Sequence, residues 1–201
     1  MSVYELKPRF QELLRRPTAA LAGAGVSANQ VTLAALALSV VCGGAIALWP
    51  ARSWPLLLLP FALFLRMALN AVDGMLAREH GQASPLGAVL NELGDLLSDA
   101  ALYLPLALVP GLSAPLVVLA VVLTLIAEAA GILGFAVGAS RRYDGPMGKS
   151  DRAVVFGGLG LLLALGVPPG GWLDWLLWLV LLLLIFTVVN RVRRALGERT
   201  P

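Results

Sequence analysis

Asn29-Gln-Val-Thr-Leu-Ala-Ala-Leu-Ala-Leu-Ser39-Val-Val-Cys-Gly-Gly-Ala-Ile-Ala-Leu-Trp49 contains no charged residue. It matches the roughly 20 apolar residues a helix needs to cross a bilayer core. Working outward, comparable runs cover residues 54–78, 86–109, 114–138, 153–167 and 172–192. The chain is 59% hydrophobic and only 13% charged. Too few polar residues remain to cover a water-soluble surface. The expected fold is therefore all-α: a polytopic membrane protein with six transmembrane helices.

Charge placement supports this expectation. All but Arg52 and Arg66 of the 15 Lys and Arg residues fall within 7–16, at Arg78, within 141–152 or within 191–199. These segments alternate with nearly charge-free loops. The pattern suits the cytoplasmic flanks of membrane spans better than a nucleic-acid surface, and it puts both termini in the cytoplasm. A bacterial-type inner membrane is the expected location. Cys42 is the only cysteine. It excludes an internal disulfide and a cysteine-based metal site.

The first segment is amphipathic. Val3, Leu6, Phe10, Leu13 and Leu14 share an arc of about 100° on a helix, away from Arg9, Glu12, Arg15 and Arg16. Residues 1–18 are expected to form an interfacial helix ended by Pro17. Residues 19–195 would form the six-helix catalytic domain and 196–201 a cytoplasmic tail. Pro105 is expected to kink the third span.

Ionisable groups within spans are costly and point to function. They concentrate in Asn70-Ala-Val-Asp73-Gly74-Met-Leu-Ala77-Arg78 and Gly87-Ala-Val-Leu-Asn91-Glu92-Leu-Gly-Asp95-Leu-Leu-Ser-Asp99. Arg66, Asn70, Asp73 and Ala77 fall within about 60° on the second span; Glu92, Asp95 and Asp99 do the same on the third, with Asn91 about 40° beyond Asp95. The short connection at 79–85 makes the two helices antiparallel neighbours. Their polar stripes can share one cavity at the cytoplasmic ends. Four carboxylates gathered there call for a cation. Oxygen donors without a His or Cys cluster suit Mg²⁺ or Mn²⁺. Small residues at Gly74 and Ala77 admit a ligand close to the backbone, and Arg78 can fork onto phosphate. The same groups are also compatible with solvated helix ends, with Arg66 pairing to Asp73 or Glu128 for structure, and with a proton relay in a transporter.

The spacing resembles the signature of the CDP-alcohol phosphotransferase family, D-x2-D-G-x2-A-R-x8-G-x3-D-x3-D. Asp73, Gly74, Ala77, Arg78, Gly87 and Asp95 match it in type and position, whereas Asn70 and Asn91 stand where the family has its first and third Asp. The resemblance implies a metal-dependent enzyme of phospholipid synthesis. It would move a phosphatidyl or other phospho-alcohol group from a CDP-linked donor such as CDP-diacylglycerol to an acceptor alcohol, releasing CMP. It implies a pair of divalent metal ions ligated from positions 70, 73, 91 and 95, with Asp95 also the catalytic base. Amide oxygens at Asn70 and Asn91 can coordinate, but without charge. Glu92 and Asp99 are candidate compensating acids.

The resemblance further implies donor contacts from Asn29 and Thr32, acceptor-phosphate contacts from Lys149 and Arg152, and a homodimer in membrane lipid. Gly148-Lys149-Ser150 is not a P-loop, because Tyr143 stands where that motif needs Gly. Glu128 is left between pairing with Arg66 and shaping the acceptor pocket. His80 is expected to face solvent. Because of Asn70 and Asn91, a family member that only binds CDP-lipids or scaffolds other enzymes is the alternative to an active enzyme.

Overall fold

The structure is a computed structural model that describes residues 3–198, with side chains from Phe10 onward. Residues 1–2 and 199–201, and the side chains of Val3 and Leu6, lie outside the described residues. Among these there are seven α-helices, two 3₁₀ turns and no strand. The helices are α1 (Val3–Gly23), α2 (Ala28–Leu48), α3 (Ser53–Glu79), α4 (Pro85–Tyr103), α5 (Ala114–Ile132), α6 (Lys149–Ala164) and α7 (Gly171–Gly197). The 3₁₀ turns are Leu104–Leu108 and Phe135–Val137.

Among the described residues, four segments are long and apolar enough to cross a membrane: α2, α3, Ala114–Val137 and α7. Helix α4 carries Glu92, Asp95 and Asp99, and α6 has only 16 residues. The molecule is a multi-pass membrane protein, and its outer surface agrees. Val41 and Phe61 are each 71% exposed and Val154 is 74% exposed, so an apolar face is turned outward where a soluble fold would place charge.

Helix boundaries follow local chemistry. Ser27 caps α2 through a capping box: its Oγ accepts from Gln30 N at 3.2 Å, while Gln30 Oε1 accepts from Ser27 N at 2.9 Å. Gln82 ties the α3–α4 connection to that helix start. Its Oε1 accepts from Ala28 N at 2.7 Å, and its Nε2 donates to Val26 O at 3.3 Å. Ser84 caps α4, accepting from Gly87 N at 3.0 Å.

Three expectations are corrected. Helix α1 continues through Pro17 to Gly23. Proline removes one backbone donor there. Packing on α3 outweighs that loss: Phe10 meets Phe64 edge-on at 6.0 Å, and Leu14 and Leu21 pack with Val72 and Leu76. Pro105 does not kink a continuing helix. The α-helix stops at Tyr103 and tightens into the 3₁₀ turn, because the proline ring has no N–H for the next α-helical bond. Helix α6 begins at Lys149 rather than 153, since Asp151 Oδ2 accepts from Gly148 N at 2.9 Å and closes its first turn.

Helix α2 packs against α3 and α4, α6 against α3, and α7 against α5. The main core includes Leu59, Leu102, Leu106, Phe156, Leu177 and Leu184. Within it, Tyr103 and Phe156 stack at 4.4 Å. This core includes Leu59 and Leu63 of α3 and Leu102 and Tyr103 of α4, away from their polar ends.

Candidate active site

Helices α3 and α4 present their polar stripes to each other. Asn70 Nδ2 donates to Asp95 Oδ1 at 3.0 Å, and Asn91 Nδ2 donates to Asp73 Oδ2 at 3.4 Å. Two amide–carboxylate bonds thus cross between the helices in opposite directions. From α2, Thr32 Oγ1 donates to Asp73 Oδ2 at 2.9 Å. From the first turn of α6, the Lys149 ammonium donates to Asp95 Oδ1. Arg66 adds a bond to the same oxygen at 3.3 Å and another to Asp95 O at 3.1 Å. The structure therefore brings Thr32, Asn70, Asp73, Asn91, Asp95 and Lys149 into one centre built from four helices.

The nucleotide-side candidates gather at the adjoining helix ends. A Cβ on Gly87 would come within 2.8 Å of Asn29 Oδ1, so the absence of a side chain lets α2 and α4 meet there. A Cβ on Gly74 would lie 3.0 Å from the Arg78 guanidinium, which folds back over α3. Ala77 packs on the small cluster containing Ala28, Val31 and Leu76. His80 is the exposed C-cap of α3.

Behind this centre lies a buried ion network. Arg66 bonds Asp99 Oδ1 at 2.5 Å, rather than Asp73 or Glu128. Arg152 is fully buried and its NH2 donates to Asp99 Oδ2 and Glu128 Oε1, both at 2.8 Å. Its charge is held inside the network and not offered to the cavity. Glu128 also takes Arg191 at 3.3 Å and Arg141 at 3.4 Å, and Arg141 reaches Glu92 at 2.6 Å. Glu92 and Asp99 are thus occupied by arginines. Burial alone would pull the Arg141 charge down, but Tyr143 and Glu92 beside it hold its pKa above the ordinary arginine value.

A cavity of about 260 Å³ opens beside Asp95, lined by Glu128, Arg141, Tyr143, Lys149 and Arg191 among others. Its wall is the α5–α6 connection, which is pinned to α7. Met147 N donates to Thr187 Oγ1 at 3.0 Å, Arg191 Nε donates to Asp144 O at 3.3 Å, and Arg142 pairs with Glu198. Ser140 and Arg142 hold the Glu198 carboxyl below its ordinary range. Arg191 does not stand out in the sequence, because it sits in a basic cluster that reads as topology. Its signal is position: it continues the buried stripe Leu177, Val180, Leu184, Thr187.

A sequence model of the CDP-alcohol phosphatidyltransferase family matches residues 26–189. The chain belongs to this family. It is a membrane transferase of phospholipid biosynthesis. Inner membrane protein YnbA of Escherichia coli (strain K12) is 48% identical over 196 residues, 98% of this chain and 97% of that protein. Phosphatidylinositol phosphate synthase (PgsA1) of Mycobacterium tuberculosis shares the fold. With CDP-DAG bound, it has a TM-score of 0.74 at 21% identity over 90% of this chain and 92% of that one. In complex with manganese and citrate, it has 0.75 at 20% identity over 91% and 88%.

The donor set can be tested against the metal pair that the family signature implies. Asp73 and Asp95 are its only carboxylates, with amide oxygens from Asn70 and Asn91. Mg²⁺ is commonly held by one or two carboxylates plus substrate phosphates. These residues fit one such ion. Two carboxylates and two uncharged amide oxygens are a poorer match to a second ion, because Asn70 and Asn91 coordinate without supplying charge.

Proposed function

We propose that this protein transfers a phosphatidyl or related phospho-alcohol group from a CDP-linked donor, such as CDP-diacylglycerol, to an acceptor hydroxyl, releasing CMP. The observation that carries the reading is the convergence of Asp73 and Asp95 from α3 and α4 in the family's spacing, beside a polar cavity. Asp95 takes the acceptor proton. Its cross-links fall on Oδ1, and Oδ2 has no donor among the described residues. As that proton moves to Asp95, the acceptor oxygen bonds the phosphorus next to the lipid and the bond to CMP breaks. Arg78 holds the pyrophosphate, with Asn29 and Thr32 at the nucleotide side. Lys149 stands at the acceptor side. Asp73 and Asp95, with the amide oxygens of Asn70 and Asn91, would hold a divalent ion, Mg²⁺ or Mn²⁺, which would supply charge neutralisation on the pyrophosphate.

The same reading takes α4 and α6 as membrane spans, six in all, with α1 in the cytoplasmic interface, both termini cytoplasmic and a homodimer in the inner membrane. A second reading rests on Asn70 and Asn91: a member that binds CDP-lipids without turnover.

The test is CMP release in nanodiscs containing CDP-diacylglycerol and Mg²⁺, with glycerol phosphate, inositol compounds, amino alcohols and lipid alcohols as acceptors. At least one acceptor should release CMP, and Asp95→Asn should lower the rate by about 10²-fold or more. No CMP from any acceptor would overturn the transferase reading. Activity gained only in N70D/N91D would favour the second.

A further inference from the structure

Resting on the site reading above, we propose that the Lys149 ammonium is a built-in cation that stands in for one metal ion, so that the centre binds one divalent ion and not two.

Three observations converge. The first is charge. The family signature places four carboxylates at these positions, whereas Asn70 and Asn91 leave Asp73 and Asp95 alone to carry charge. Two divalent ions would overfill that pair with positive charge in a partly buried, low-dielectric site. The second is how α3 and α4 are joined. Facing carboxylates need a cation between them, because like charges repel. Here the amides of Asn70 and Asn91 donate directly to Asp95 at 3.0 Å and to Asp73 at 3.4 Å. The two helices are thus joined by amide–carboxylate hydrogen bonds, without facing like charges at these positions. The third is the lysine itself. Its ammonium lies on the Asp95 oxygen that Asn70 also bonds.

Lys149 is fixed in this position. It is the first residue of α6, whose first turn is closed by Asp151 on Gly148 N at 2.9 Å. Helix α6 packs on α3, and Met147 is anchored to Thr187 at 3.0 Å. A lysine ammonium is a compact point charge with three donors. It can hold the carboxylate and still turn another donor toward an incoming phosphate oxygen.

The test counts Mn²⁺ by electron paramagnetic resonance on purified protein in nanodiscs, with no donor or acceptor added. The full chain should bind one Mn²⁺, lost in D95N. K149M should bind Mn²⁺ at least about tenfold more tightly, because one of the two cations on Asp95 Oδ1 is removed while Arg66 and the Asn70 amide remain, and K149Q serves the same purpose if K149M does not fold. K149R, which keeps a cation at this position, should stay close to the unsubstituted protein. In N70D/N91D/K149M the count should rise to two. Two Mn²⁺ on the unsubstituted chain, none at all, or unchanged affinity in K149M and K149Q would overturn the proposal. The count does not depend on turnover. Two Mn²⁺ with CMP release would remove the lysine's role and leave the transferase reading intact. One Mn²⁺ without CMP release from any acceptor would do the reverse.

Discussion

Glu128 is a single carboxylate serving three arginines: Arg152 at 2.8 Å, Arg191 at 3.3 Å and Arg141 at 3.4 Å. Its side chain is 6% exposed and that of Arg152 is 0% exposed. Removing one partner from such a pair leaves an uncompensated buried charge, which costs about 3–5 kcal/mol. Glu128→Gln should therefore lower the melting temperature of the detergent-solubilised protein clearly. Glu79→Gln, which touches only the exposed Arg15 at 4.0 Å, should stay within about 0.5 kcal/mol. Equal melting shifts in the two variants would show that the Glu128 network carries no structural charge balance. At this scale the sequence exposes which residues are out of place in a membrane, but not how they pair. Arg66, Glu128, Arg141 and Arg152 are far apart in the chain, and their partners depend on helix rotation and depth that spacing alone does not fix.

Elements are more legible than pairings. Long, mostly apolar runs determine α2, α5 and α7, because only a closed hydrogen-bonded helix is tolerable in lipid. Boundaries at Pro17, Pro105 and Lys149 depend on tertiary context: packing of α1 on α3, the missing donor at Pro105, and the Asp151 cap. The polar centre requires α2 and α4 to lie close, and Gly43 makes that possible. A Cβ there would collide with the Ala101 carbonyl. A Cβ on neighbouring Gly44 would meet nothing within 4 Å. Gly43→Ala should thus destabilise by about 1–3 kcal/mol through overpacking. Gly44→Ala should be neutral or stabilising by up to about 1 kcal/mol, since alanine is the better helix former. Thermal unfolding in one detergent compares the two directly. Equal shifts would mean that the close approach of α2 and α4 does not constrain the fold.

At the scale of the whole molecule, the open question is whether α4 and α6 cross the bilayer as α2, α3, α5 and α7 are able to. Helix α4 is 19 residues and continues into the Leu104–Leu108 turn; α6 is 16 residues. Each is short, and α4 carries acids. Each buries a charged side chain inward and turns apolar ones outward: Asp99 is 1% and Arg152 0% exposed, while Leu97 is 55% and Val154 74% exposed. A helix can cross lipid with charged groups if they face protein and are paired. On that argument the proposed six-span reading expects α4 and α6 to cross as well, with the connections on alternating sides. Cys42 is the only cysteine, so a Cys42→Ser background makes single-cysteine labelling clean. In intact cells, an impermeant maleimide should reach S113C and G170C from outside, and A83C and S140C only after the membrane is opened. If A83C and S113C label from the same side, α4 does not span. If S140C and G170C do, α6 does not. Either result would overturn the proposed six-span topology.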